Sequence, residues 1–143
     1  MAAVSVRYIV DDVDAAIHFY CHHLGFDEVM HPAPGFAMLV RGPLRLALSA
    51  PDGGPGGGQA MPDGTVPRPG GWNRFMLEVD DLASSVETLR GQGARFRNEL
   101  VVGVGGKQIL LEDPAGNLVE LFEPTRPEAR LDRGPDQEAG GGA

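Results

Sequence analysis

Apolar and polar residues alternate from Val4 to Val10 and again from Asn73 to Val79, the period-two signature of a half-buried strand. Each segment runs into a related continuation: Ile9-Val10-Asp11-Asp12-Val13-Asp14-Ala15-Ala16 is echoed 69 residues later by Glu78-Val79-Asp80-Asp81-Leu82-Ala83-Ser84-Ser85. The second Asp of each copy is placed to cap a helix, because a carboxylate there accepts orphan amide protons of the first turn. The pattern predicts one helix over about Val13 to His23, with Ala16, Ile17, Tyr20 and Leu24 as its apolar stripe and Gly25 as its stop. It predicts a second over about Leu82 to Gln92, with Leu82, Val86 and Leu89 inward and Gly93 as terminator.

Three extended segments follow each helix: Phe26 to His31, Phe36 to Arg41 and Leu44 to Ser49 in the first half, and Arg95 to Leu100, Lys107 to Glu112 and Leu118 to Glu123 in the second. Asp113-Pro114-Ala115-Gly116-Asn117 is a hairpin turn by composition. The fold class that follows is α+β, two β-α-β-β-β modules over about residues 3–50 and 72–124 of a single domain, 1–124. The joining segment, Pro51 to Gly71, holds eight Gly and five Pro and reads equally as a lid or as a connector. The polar stretch from Thr125 to Ala143 is predicted to be disordered.

Composition narrows the function. At 143 residues, 42% apolar and 22% charged, the chain suits one globular domain, and no apolar run approaches the ~20 residues a bilayer demands. No membrane association is expected, and the absence of a leader-like N-terminus suggests the cytoplasm. The formal charge of −8 repels phosphate backbones, which excludes nucleic acid as a partner. A lone Cys21 leaves His and carboxylates as the only metal donors.

The duplicated modules, the Val10-Asp11-Asp12 helix start running through Phe19-Tyr20 to Leu24-Gly25-Phe26, and the closing Asp113-Pro114-Ala115-Gly116-Asn117-Leu118-Val119-Glu120-Leu121-Phe122 resemble the vicinal oxygen chelate superfamily. It includes glyoxalase I, extradiol dioxygenases, and fosfomycin and bleomycin resistance proteins. The resemblance implies a cupped mixed sheet around a cavity and, in metal-using members, one ligand on the first and one on the last strand of each module. Those positions fall here on Ser5, Ala47, Arg74 and Glu120. Only Glu120 is an ordinary metal ligand, and Arg cannot serve because its guanidinium stays protonated. No cofactor is therefore expected, with Glu120 the one metal-ligand candidate.

On that alignment, strand alternation turns Ser5, Arg7 and Ile9, then Arg74, Met76 and Glu78, then Leu118, Glu120 and Phe122 toward the cavity. Arg74 with Glu120, or Arg7 with Glu78, could form ion pairs that bind a polar ligand group or that serve the fold alone. Trp72, at the entry to the second module, is placed to stack on a ligand or to anchor the connector. Ser5, Arg7, Trp72, Arg74, Met76 and Phe122 are thus the ligand-binding candidates, and Glu120 and Glu78 the candidate general bases. His18 and His22 stand i,i+4 on the first helix, where a solvated face is the plainer reading than a metal site; His23 and His31 read as surface residues and Cys21 as a neutral thiol. Gly103 to Gln108 reads as a hairpin turn with Gln108 at its exit. The leading expectation is a metal-free, small-molecule-binding homodimer of the bleomycin-resistance kind. The alternative is a glyoxalase-like lyase, isomerase or dioxygenase, with a divalent metal or with a carboxylate base.

Overall fold

The computed structural model describes residues 4–51 and 56–130, so the predicted disorder beyond residue 130 lies outside the described residues. The described chain forms two compact units: residues up to Arg74 together with Glu112–Leu118, and Phe75–Leu111 together with the residues from Val119 on.

In the first unit, β1 (Val4–Ile9), α1 (Val13–Leu24), β2 (Asp27–Ala33), β3 (Phe36–Arg41) and β4 (Leu44–Ser49) follow in order. The sheet runs β1-β4-β3-β2, with β1 parallel to β4 and the other pairs antiparallel. Asp12 caps α1 as the sequence implies, its carboxylate accepting from the Ala15 amide at 3.0 Å, and Gly25 closes the helix in the left-handed conformation at φ 71°. The helix packs on β2, β3 and β4. Its buried residues are Val13, Ala16, Phe19, Tyr20 and Leu24, and they share a core with Ala37, Leu39, Leu46 and Leu48. Each large apolar side chain buried there contributes about 1.5–3 kcal/mol. One stripe residue differs from expectation: Ile17 is half-buried and Phe19 takes its place. The Phe19 ring meets Tyr20 edge-to-face at 5.1 Å and lies 5.6 Å from the His23 ring.

The second unit repeats the arrangement. Its elements are β5 (Arg74–Glu78), α2 (Leu82–Gly91), β6 (Arg95–Phe96), β7 (Val101–Val102), β8 (Gly106–Glu112) and β9 (Leu118–Pro124), with the end residues Arg74, Glu112 and Leu118 counted in the first unit. Its sheet order is β5-β9-β8-β6, with β7 also paired to β8. Asp81 caps α2 through the Ser84 amide at 3.1 Å, and Leu82, Val86 and Leu89 are its buried stripe. The expected strand from Arg95 to Leu100 is reduced to Arg95–Phe96, and the separate two-residue β7 begins only beyond it, at Val101. The cause is a bond to β8: the Asn98 side-chain oxygen accepts from the Leu110 amide at 2.9 Å while the Arg97 amide donates to Leu110 O at 2.8 Å, so a side chain replaces a backbone group in the ladder. Gly106, at the start of β8, admits no side chain, since a Cβ there would stand 2.3 Å from the Glu123 carbonyl oxygen. A short 3₁₀ turn, Pro127–Ala129, follows β9, and the Thr125 amide donates to Gly105 O at 3.0 Å.

Candidate functional site

In the first unit one face of the sheet lies under α1, and the face turned away from the helix is the open face of that unit. In the first unit the strand register assigns the open face row by row: Ser5, Arg45 and Val40; Arg7, Ala47 and Met38; Ile9, Ser49 and Phe36. Ser5 and Arg7 are exposed, whereas Ala47 and Ser49 are buried. Ser5, Arg7 and Ile9 thus share one face of this sheet. Arg7 is also a clamp. One guanidinium nitrogen donates to the Ser49 hydroxyl at 2.8 Å and to the Gly56 carbonyl oxygen at 2.5 Å, and the Ser49 hydroxyl donates to the same carbonyl at 2.5 Å. Ser49 was not singled out from sequence, although its place two residues beyond Ala47 on the same face was a usable signal.

The segment joining the repeats is tied down in the first unit at both described ends. Gly56 is held by Arg7 and Ser49, and the Gly70 amide donates to the Asn117 side-chain oxygen at 2.7 Å. Between them, Met61 and Thr65 close a turn in which the Asp63 carboxylate accepts from the Thr65 amide. That bond holds the Asp63 carboxyl below the usual range. Trp72 is 68% exposed, and Arg74, also exposed, donates to the Trp72 carbonyl oxygen at 3.2 Å.

The Asp113–Asn117 turn forms a buried polar network. The Asp113 carboxylate accepts from the Tyr20 hydroxyl at 2.8 Å, from the Ala115 and Asn117 amides at 2.9 and 2.8 Å, and from the Asn117 side-chain nitrogen at 3.2 Å. That nitrogen also donates to Ile9 O at 2.8 Å, and the Tyr8 hydroxyl donates to Leu118 O at 2.6 Å. Burial pushes the Asp113 carboxyl up, against the opposing pull of its hydrogen bonds from Tyr20, Asn117 and Ala115. Burial, then the charge of Asp113, pushes the Tyr20 hydroxyl well up. The network fixes the turn relative to α1 and β1.

In the second unit, alternation gives Met76 and Glu78 of β5, Gln108 of β8, and Glu120 and Phe122 of β9 to the open face. Glu120 is only 4% exposed, while Met76 is exposed and Glu78 and Phe122 are half-buried. With its amide nitrogen turned toward the carboxylate, Gln108 donates to the two Glu120 oxygens at 2.7 and 3.2 Å. The sequence reading placed Gln108 at a turn exit without a partner; its position as the first open-face residue after the glycines was the available clue. On the other face, Glu123 accepts from the Leu82 amide at 2.8 Å and so supports the start of α2.

The two repeats superpose in hydrogen bonding as well as in order. The Val10 amide donates to Ser49 O at 3.0 Å, and the Val79 amide to Phe122 O at 2.8 Å. Counting two residues back from each acceptor makes Ala47 the counterpart of Glu120. The four positions that would carry ligands thus present a hydroxyl, a methyl, a guanidinium and a carboxylate already engaged by an amide. Neither unit's share of those positions supplies the several neutral imidazoles or carboxylates that a divalent ion needs. Among the described residues no three His, Cys, Asp or Glu side chains gather to hold a metal. Arg74 falls in the first unit and Glu120 in the second, as do Arg7 and Glu78.

Other expectations change on inspection. His31 is not a surface residue: it lies within β2, half-buried, with its Nε2 3.9 Å from the Asp14 carboxylate. His23 is half-buried against Phe19, ring centroids 5.6 Å apart. A cleft of about 350 Å³ borders Phe96, Arg97 and Asn98, where Arg90 stands 5.2 Å over the Phe96 ring and 3.3 Å from Glu99. It shares no residue with the open face that carries Glu120. No helix among the described residues is long and apolar enough to cross a membrane.

Comparison with known proteins agrees with this architecture. A glyoxalase/bleomycin resistance protein/dioxygenase superfamily member from Sphaerobacter thermophilus is 27% identical, with a TM-score of 0.67 over 86% of this chain and 97% of that one. Lactoylglutathione lyase from Agrobacterium tumefaciens is 24% identical, with a TM-score of 0.65 over 85% and 92%. An antibiotic-binding protein from Streptomyces sp. CB03234 is 21% identical, with a TM-score of 0.66 over 87% and 97%. Comparison with curated proteins returns no match. The family's sequence profile matches residues 3–121, and with two repeats of one strand order and one helix-start motif, the chain belongs to the Glyoxalase/Bleomycin resistance protein/Dioxygenase superfamily.

Proposed function

We propose that this protein binds a small organic molecule without a metal, in a sequestration or resistance-like role. The observation that carries the reading is the replacement of donors at fixed register: Ala47 occupies the position that Glu120 holds in the other repeat. Arg7 and Ser49 flank it with hydrogen-bonding groups and Met38 with an apolar side chain. Such a face suits an organic ligand with a polar or anionic group, which Arg7 would meet, and apolar area, which Met38 would cover; Trp72 and Arg74 remain candidates on the first unit, and Met76 and Phe122 on the second. The antibiotic-binding relative supports the reading at the level of the family. In this account the protein acts as a cytoplasmic homodimer.

A second reading rests on Glu120 alone. A buried carboxylate on an open sheet face, oriented by Gln108, is built as a general base would be, with Glu78 as the other candidate. Both readings are separated by one experiment. The protein is incubated with a metabolite extract, desalted, and the retained molecules are identified by mass spectrometry. Retention of one unchanged compound, reduced about tenfold or more in Arg7→Ala or Arg74→Ala, is the expected result. Recovery of a chemically altered compound that requires Glu120 would establish the enzyme, and failure of any compound to be retained would refute both.

A further inference from the structure

The solvent side of α1 carries an arrangement that neither open face uses. His18 and His22 are one helical turn apart, both are exposed, and their ring centroids lie 4.3 Å apart at an interplanar angle of 73°. Their described contacts are with each other and with His23, at 6.1 and 6.4 Å. Two imidazoles bound cis to one ion, at metal–nitrogen distances of about 2.0–2.1 Å and roughly 90°, place their centroids about 4.5 Å apart. The observed separation is close to that value, as a chelate on an unmoved backbone requires. A rigid helix holds both Cβ atoms, which removes most of the ordering cost of forming the chelate.

The surroundings favour a cation. Asp14 lies one turn back on the same i,i+4 stripe. Cys21 sits between the two imidazoles in sequence and is no part of the proposed donor set. We propose that His18 and His22 form a two-imidazole chelate for a late first-row divalent ion, completed by water, on the helix side of the first unit. Imidazole donors select nickel, copper or zinc over magnesium or calcium. The site is separate from the Ser5–Ala47 face, which lies on the other side of the sheet, and does not depend on the ligand-binding reading.

The test uses the full, tag-free chain and nickel ion alone, titrated in competition with a chelating dye. Wild type binds one ion per chain saturably. His18→Ala and His22→Ala each weaken binding by about tenfold or more, and the double variant is little worse than either single one, because a chelate is lost with its first arm. Both side chains are exposed, so the variants retain the fold, which circular dichroism confirms; His18→Gln gives a polar control. With copper in place of nickel, electron paramagnetic resonance shows two coordinated nitrogens. Undiminished binding by the double variant, or no saturable binding by wild type up to about 1 mM ion, overturns the proposal.

Discussion

Asp113→Ala is expected to destabilise the protein by about 3–5 kcal/mol, enough to abolish most of the stability of a domain this size. The substitution removes one carboxylate and strands several donors at once: the buried Tyr20 hydroxyl, the Ala115 and Asn117 amides, and the Asn117 side chain that also binds Ile9 O. Each buried donor left unmade costs about 1–3 kcal/mol. Tyr20→Phe deletes only the hydroxyl and should cost less, about 1–2 kcal/mol. Denaturant unfolding followed by circular dichroism measures both. The acid side of the stability curve gives an independent check. Burial raises the folded carboxyl of Asp113 above its unfolded value, so the folded state holds this proton more tightly. Its contribution is fully present below the unfolded pKa and is lost as pH rises through the raised folded value. Asp113→Asn removes that titration, and its stability should fall less than that of wild type across the interval.

The second large effect concerns Gln108. Replacing it by Leu removes the amide that donates to both oxygens of the buried Glu120 carboxylate and should cost about 1.5–3 kcal/mol, the worth of hydrogen bonds to a buried charge. Adding Glu120→Leu should restore much of the loss, because the charge that needed solvating is gone. The double-mutant cycle therefore yields a coupling energy of about 1–3 kcal/mol of opposite sign to the single Gln108 effect. Strict additivity of the two substitutions in thermal unfolding would show that the pair is not coupled.

The order of strands and helices, the two Asp caps and the Asp113–Asn117 turn were legible in the sequence because each depends on local chemistry. A carboxylate before an apolar run has one good use, and alternation fixes which residues share a face. What escaped were features set by partners far along the chain. Nothing local in Arg95 to Leu100 shows that Asn98 will take the Leu110 amide, and nothing in His31 shows that it will lie against Asp14, which is on a different element. Ser49 and Gln108 are likewise ordinary strand residues until their neighbours are known. For the site, the equivalence of Ala47 with Glu120 followed from counting along each repeat, and the paired bonds from Val10 and Val79 confirm it. The clamp by which Arg7 holds Gly56 was not visible, since it needs a distant glycine-rich segment to return to the sheet.

Elemental analysis is the most direct test of the central claim, that the Ser5, Ala47, Arg74 and Glu120 positions hold no metal. It is carried out on tag-free protein that has met neither chelator nor metal column, in the His18→Ala/His22→Ala background so that the helix chelate cannot contribute. The account expects well under about 0.1 equivalent of zinc, nickel, manganese or iron per chain, unchanged by Glu120→Ala, because one carboxylate is too few donors to hold such an ion against water. About one equivalent of one of these metals per chain, lost on Glu120→Ala, would contradict it.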